Sequence, residues 1–187
     1  VNQFHDGKGP YFIAEYYPGW LDHWGEKFVK VPAKSFLGNV DTLLQAGISL
    51  NFYMFHGGTN FGFMNGANYN KKYPIQPDIT SYDYDAPLSE AGVPTEKYFA
   101  LREVIKKHLP SSSQLPPVPP APHLISIPSI ALSQAASLLS NLPQPVHNKY
   151  PVSMEELNQG YGFVLYQTTI TINGNAVLKI DSLRDYA

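Results

Sequence analysis

The chain has 187 residues, no cysteine and a formal net charge of −2 from 13 basic and 15 acidic residues. This excludes a disulfide or thiolate-zinc framework and gives no bulk attraction to nucleic acid or an anionic membrane. The length admits one domain, or one and part of another, and falls short of the roughly 250 residues of a complete (β/α)₈ barrel.

Val1–Pro10 lacks the charged start and apolar stretch of a signal peptide, and a chain starting at Val is expected to have lost sequence upstream. Tyr11–Ala14 is a short apolar strand that runs into Glu15. Pro32 opens a segment with Phe36, Leu37, Val40, Leu43 and Leu44 at helical spacing, and Gly47 is placed to stop it. Ile48–Phe55 is rich in strand formers and ends at Gly57-Gly58. His56–Asn60 has glycines without the spacing of a phosphate loop and predicts a tight turn. Pro94-Thr95 leads into a second helix through His108, with Phe99, Leu101, Val104 and Ile105 available for its buried face. Two βα units in this order build a barrel or an open parallel sheet.

The composition then changes. Of the 25 aromatic residues, 20 lie in Val1–Phe99, whereas ten of the 17 prolines lie in Pro110–Pro151. Residues 110–122 predict an extended polyproline II linker, with a ligand for proline-reading domains as the alternative. Beyond it, Ser129–Leu142 predicts a small helix, Tyr161–Ile172 a strand, Asn173-Gly174 a hairpin turn and Ala176–Ile180 the returning strand. The expected fold class is α/β plus β: residues 1–109 as the last two βα units of a TIM barrel, 110–122 as linker, and 123–187 as the start of an incomplete β-sandwich.

Glu15 is the carboxylate that the chemistry singles out. It stands at a strand end among Tyr16, Tyr17, Trp20 and Trp24, and C-terminal strand ends carry the active sites of parallel βα folds. Aromatic rings stack on the apolar face of a sugar, and a carboxylate answers the oxocarbenium charge that develops during glycoside hydrolysis. The plainer alternative is a surface glutamate beside core aromatics. Tyr53 ends the second strand in a similar position, as a hydroxyl donor or as a core tyrosine. Asp83, Asp85 and Glu90 fall within ten residues, but their spacing is not that of a calcium loop. Asp22-His23 reads as loop capping or packing, since no serine or cysteine nucleophile comes with it. Trp20 either shapes the site or packs, and Trp24 is expected to pack.

Glu15–Gly25, Asn51–Phe61 and Thr80–Gly92, taken together and in this order, resemble the β-galactosidases of glycoside hydrolase family 35, above all the animal lysosomal acid type. The resemblance continues through Thr95–Arg102 and at Tyr161–Tyr166, and is weakest in Pro110–Val152. It implies a TIM barrel followed by β-sandwich domains, and retaining hydrolysis of terminal β-D-galactosyl residues from a glycan or glycolipid. It implies Glu15 as catalytic nucleophile and Tyr17, Tyr53 and Tyr84 as galactose contacts. It also implies work in lysosomes, vacuoles or outside the cell. No metal, cofactor, nucleic acid or membrane span is expected, and an oligomer of a longer protein is compatible with it. The family's acid/base glutamate belongs to a motif of the Asn-Glu-Asn-Glu-Tyr-Gly kind that this sequence lacks. The chain is therefore expected to hold part of an enzyme and to be inactive alone. A non-catalytic galactose-binding or interaction module is the alternative.

Overall fold

The computed structural model describes residues 7–73, 75–181 and 183. Most of the N-terminal stretch read above for a signal peptide, Val1 to Asp6, and Arg184 lie outside the described residues. The residues up to His123 form one compact unit, and Leu124–Leu183 form a second.

In the first unit, β1 (Phe12–Tyr16) is followed by α1 (Ala33–Gln45) and β2 (Ser49–Phe52). The long connection to the last helix holds four two-residue strands, β3 (Gly58–Thr59), β4 (Ala67–Asn68), β5 (Gln76–Pro77) and β6 (Ser81–Tyr82). Helix α2 spans Glu96–His108. These strands make three two-stranded sheets: β1 with β2 in parallel, β3 with β6 and β4 with β5 antiparallel.

The sequence accounts for the helix boundaries. Pro32 has no N–H to satisfy, and its carbonyl accepts from the N–H groups of Ser35 (3.0 Å) and Phe36 (3.3 Å), starting α1. Gly47, at φ +72°, ends it. The Gly47 N–H donates to the Leu44 carbonyl and the Ile48 N–H to the Leu43 carbonyl, both at 3.0 Å, which is the Schellman pattern. In α2, Glu96 lies in the first turn and Lys106, Lys107 and His108 in the last, matching the helix dipole. Phe36 and Val40 of α1 bury against Leu101 and Val104 of α2. Tyr16 of β1 and Leu50 and Phe52 of β2 pack on this core.

Phe99 corrects the expected buried face of α2: the residue is 51% exposed. The buried stripe is Lys97, Leu101 and Val104, spaced at i, i+4 and i+7, and Phe99 projects from the other side. Strand β2 is shorter than the apolar run that predicted it. After Tyr53 the chain leaves β1, and Phe55 and Gly57 exchange hydrogen bonds with Leu88, each 2.9 Å. His56–Asn60 is also more than a turn, because Gly58-Thr59 pairs with Ser81-Tyr82. A Cβ on Gly57 would stand 2.9 Å from the Asp83 carbonyl oxygen, so this glycine permits two backbones to touch.

The β1–β2 register contains a bulge. Ile13 faces Leu50 and Tyr16 faces Phe52, so β1 spends one more residue than β2 over the same span. The Asn51 side-chain amide donates to the Ala14 carbonyl at 2.9 Å, supplying a hydrogen bond where the ladder is interrupted. Bulges re-aim side chains, and this one lies beside Glu15.

In the second unit the expected helix at Ser129–Leu142 and strands at Tyr161–Ile172 and Ala176–Ile180 are not formed among the described residues. The apolar side chains meant to drive them are solvent-facing, with Leu132 92%, Leu178 84% and Val177 94% exposed. A strand needs a neighbour to satisfy its backbone, and a short helix needs a partner face, and neither is at hand. One turn here, at Ser153–Glu156, is closed as a capping box. The Ser153 N–H donates to the Glu156 carboxylate (2.8 Å), and the Glu156 N–H donates to the Ser153 hydroxyl (3.2 Å).

Candidate active site

The four residues implicated by sequence converge at one end of β1 and β2. Glu15 is exposed near the end of β1. The Tyr17 hydroxyl donates to its Oε2 at 2.5 Å. Tyr53 follows β2 directly, and its N–H donates to the Tyr16 carbonyl at 3.0 Å, holding the two strand ends side by side. Tyr84 arrives from the connection after β6. Its ring lies 5.5 Å from Tyr53 and 6.5 Å from Tyr17, and Tyr17 lies 6.1 Å from Tyr53, centroid to centroid.

Two more rings complete the wall. Trp20 stands 5.5 Å from Tyr17 and 5.9 Å from Tyr84, centroid to centroid, and is 43% exposed. Tyr82 was not singled out by sequence. It packs 5.2 Å from Tyr84 and shares a 3.2 Å hydroxyl contact with Tyr53. Its signal was the alternation Tyr82-Asp83-Tyr84-Asp85. Trp24 does not pack as expected: it is 76% exposed, and its place is set by its backbone N–H, which donates to the Pro77 carbonyl at 2.8 Å.

The neighbouring carboxylates have other work. Asp22 is buried and accepts from the Val29 N–H at 2.6 Å, holding its own loop. His23 faces Glu26 at 3.2 Å and Asn68 at 3.3 Å. Glu90 accepts from the hydroxyls of Thr59 and Ser81, bracing the β3–β6 pair. Asp83 takes the Glu90 N–H at 3.4 Å, and Asp85 is paired to Lys97 and Lys30. Among the described residues no three histidines or carboxylates come together as a metal site.

The electrostatics favour protonated tyrosines around Glu15. The hydrogen bond to Glu15 raises the Tyr17 hydroxyl above its ordinary value, with desolvation and the carboxylate charge adding in the same sense. Burial raises Tyr84 strongly, and Tyr53, Tyr17 and Glu15 add to it. Burial and then the hydrogen bond with Tyr53 raise Tyr82. A tyrosine whose pKa is higher folded than unfolded contributes stability below about pH 10, which is lost as pH rises through the folded value. Spectrophotometric titration of the phenolates is therefore expected to show tyrosines that ionise later than the exposed ones. Tyr17→Phe should remove one of them, and an unchanged alkaline limb in that variant would contradict the Tyr17–Glu15 contact.

The family model for the glycosyl hydrolases of family 35 matches residues 1–108. The chain belongs to that family. It is 42% identical over 181 residues to a protein named beta-galactosidase from Xanthomonas manihotis, covering 95% of this chain and 30% of the relative. Beta-galactosidase 1 of Dictyostelium discoideum is 41% identical over 191 residues, covering 95% of this chain and 28% of the relative. The mouse beta-galactosidase is 43% identical over 177 residues, covering 91% and 26%. The chain thus spans less than a third of the length of these relatives. The family match contains the whole Glu15, Tyr17, Tyr53 and Tyr84 cluster. No helix of the described residues is long and apolar enough to cross a membrane.

Proposed function

We propose that this chain carries the nucleophile half of a retaining β-galactosidase site. The observation that carries this reading is the Tyr17–Glu15 hydrogen bond at the head of a wall of aromatic rings, within the family-matched segment. In the reaction the Glu15 carboxylate attacks the anomeric carbon of a terminal β-galactosyl residue. A second carboxyl, about 5–5.5 Å away, gives its proton to the departing oxygen. The galactosyl ester on Glu15 is then cleaved by water, which the second group deprotonates, so the anomeric configuration is kept. Tyr17 holds the carboxylate in line, Tyr53 contacts the sugar and Trp20 offers an apolar face to it, while Tyr84, expected from the resemblance as a galactose contact, is 1% exposed and instead backs these rings.

Asp83, Asp85 and Glu90 are engaged by Lys30, Lys97, Thr59 and Ser81, which favours an acid/base carboxyl from outside the 187 residues. The same reading makes β1-α1-β2 and α2 a portion of a TIM barrel and the second unit the opening of a sandwich. It places the work in a lysosome, in a vacuole or outside the cell, on a glycan or glycolipid. The test is paired. The purified chain is expected to hydrolyse no β-galactoside above background. The complete polypeptide carrying it is expected to release galactose first as the β anomer, read by proton NMR. Robust hydrolysis by the 187-residue chain alone would refute the division of the site, and release of the α anomer would refute Glu15 as nucleophile.

A further inference from the structure

Lys97 lies in the first turn of α2 and is only 6% exposed. Nothing in the helix itself favours it there. Burial disfavours an ammonium, and a cation near a helix N-terminus opposes the dipole. What offsets both is three acceptors for three N–H groups. Lys97 Nζ donates to the Pro18 carbonyl at 2.8 Å, to the Asp85 carbonyl at 2.9 Å and to the Asp85 carboxylate. These acceptors belong to two loops: the one that leaves β1 after Tyr16, and the one that carries Tyr84.

The loops meet closely. A Cβ on Gly19 would stand 2.1 Å from the Tyr84 carbonyl oxygen, so the two backbones are in direct contact. Tyr84 and Asp85 sit consecutively at φ +61° and +50°, a left-handed conformation that side-chain-bearing residues rarely adopt and that persists only where the surroundings hold it. The Asp85 carboxylate also accepts the Val31 N–H at 2.8 Å and faces Lys30 at 3.0 Å. Burial pushes the Asp85 carboxyl up, but the hydrogen bonds from Lys97, Val31 and Lys30 outweigh it and hold the group below its ordinary value.

We propose that Lys97 is a positioning residue of the Glu15 site: its buried ammonium ties the Tyr84–Asp85 turn to the Pro18–Gly19 turn and so fixes Tyr84 and Trp20 against Tyr17. It touches no reacting atom. The tie itself stands on the hydrogen bonds, and its consequence for galactose rests on the function proposed above, so the two are tested by separate measurements.

The first measurement needs no ligand. In Lys97→Met the amide hydrogens of Ala86, bonded to the Asp83 carbonyl, and of Val31, bonded to Asp85, are expected to exchange at least tenfold faster relative to those of α1. Asp85→Asn should loosen the same two amides. The double variant Lys97→Met/Asp85→Asn leaves no unpaired buried charge and carries the test if Lys97→Met does not fold. Equal slowing or quickening of all amides, or none, would show a purely structural lysine and overturn the proposal. The second measurement takes the complete polypeptide well below its unfolding temperature. KM for a β-galactoside is expected to rise at least tenfold with a smaller fall in kcat, whereas unchanged KM alongside loosened loops would overturn the link to the sugar. If the unmodified polypeptide neither binds nor cleaves a β-galactoside, the proposed function fails, and the exchange result still decides whether Lys97 makes the tie.

Discussion

Glu15→Gln in the complete polypeptide is expected to lower kcat/KM for a β-galactoside on the order of 10⁴-fold or more, equivalent to about 5.5 kcal/mol of transition-state stabilisation. The substitution keeps the size of the side chain and leaves an oxygen for the 2.5 Å hydrogen bond from Tyr17. Under the proposed mechanism it removes the negative charge that would answer the oxocarbenium ion and the oxygen that would form the galactosyl ester. Galactose affinity should change by less than about tenfold, because shape and hydrogen bonding survive, and an effect confined to the chemical step is the mark of a nucleophile. Circular dichroism should be unchanged, since Glu15 is exposed. Glu15→Ala adds a diagnostic arm. A small anion such as azide can enter the vacated space and attack from the same face, giving α-galactosyl azide. A Glu15→Gln enzyme within tenfold of the parent would remove Glu15 from the mechanism. Tyr17→Phe, by contrast, should cost less, because it loosens the nucleophile without deleting it.

Gly19→Ala is expected to be the most damaging change that adds a single carbon to this chain. The new Cβ would lie 2.1 Å from the Tyr84 oxygen, 2.8 Å from the Asp85 Cβ and 2.9 Å from the Tyr84 carbonyl carbon. None of these is the movable end of a flexible side chain, so one backbone must retreat. Gly19 is buried, and Tyr84 is 1% exposed and hemmed by Tyr17, Trp20, Tyr53 and Tyr82. Overpacking of this sort destabilises by about 3 kcal/mol, visible as a lowered unfolding midpoint in urea. The displaced Tyr84 should also abolish galactose binding before unfolding begins. Gly25→Ala makes a useful contrast. No atom lies within 4 Å of its added carbon, and only the left-handed φ of +79° resists, so its effect should be smaller and confined to stability. A Gly19→Ala variant as stable as its parent would mean that the two turns are not in contact.

Much of the first unit was legible because its determinants are local. Pro32 and Gly47 mark the ends of α1, the spacing of Phe36 and Val40 gives its buried side, and the aromatic run after Glu15 matches the cluster of rings beside it. What was not legible depends on distant partners. Lys97 takes the place in the buried stripe that Phe99 was expected to share, and no rule of hydrophobic periodicity selects a lysine whose acceptors are 12 and 79 positions away. The left-handed turn at Tyr84 and Asp85 carries no glycine to announce it. Tyr82 joins the wall only because β3 pairs with β6. Trp24 looked apolar enough to pack, yet it is its N–H and not its ring that fixes it. In the second unit, strand-forming composition at Tyr161–Ile172 states a preference that only neighbouring strands can satisfy.

The interruption in β1 decides which way the strand looks. Along a regular strand, odd and even positions point to opposite sides. Ile13, opposite Leu50, and Glu15 would then share the side that carries the core, and Tyr16 would face away. Because one extra residue is taken up between Ile13 and Tyr16, parity is exchanged: Tyr16 comes opposite Phe52 and packs on Phe36. Glu15 is thereby released from the apolar side to meet Tyr17. A single step out of phase lets one five-residue strand build a hydrophobic core with its flanks and present a charge at its tip.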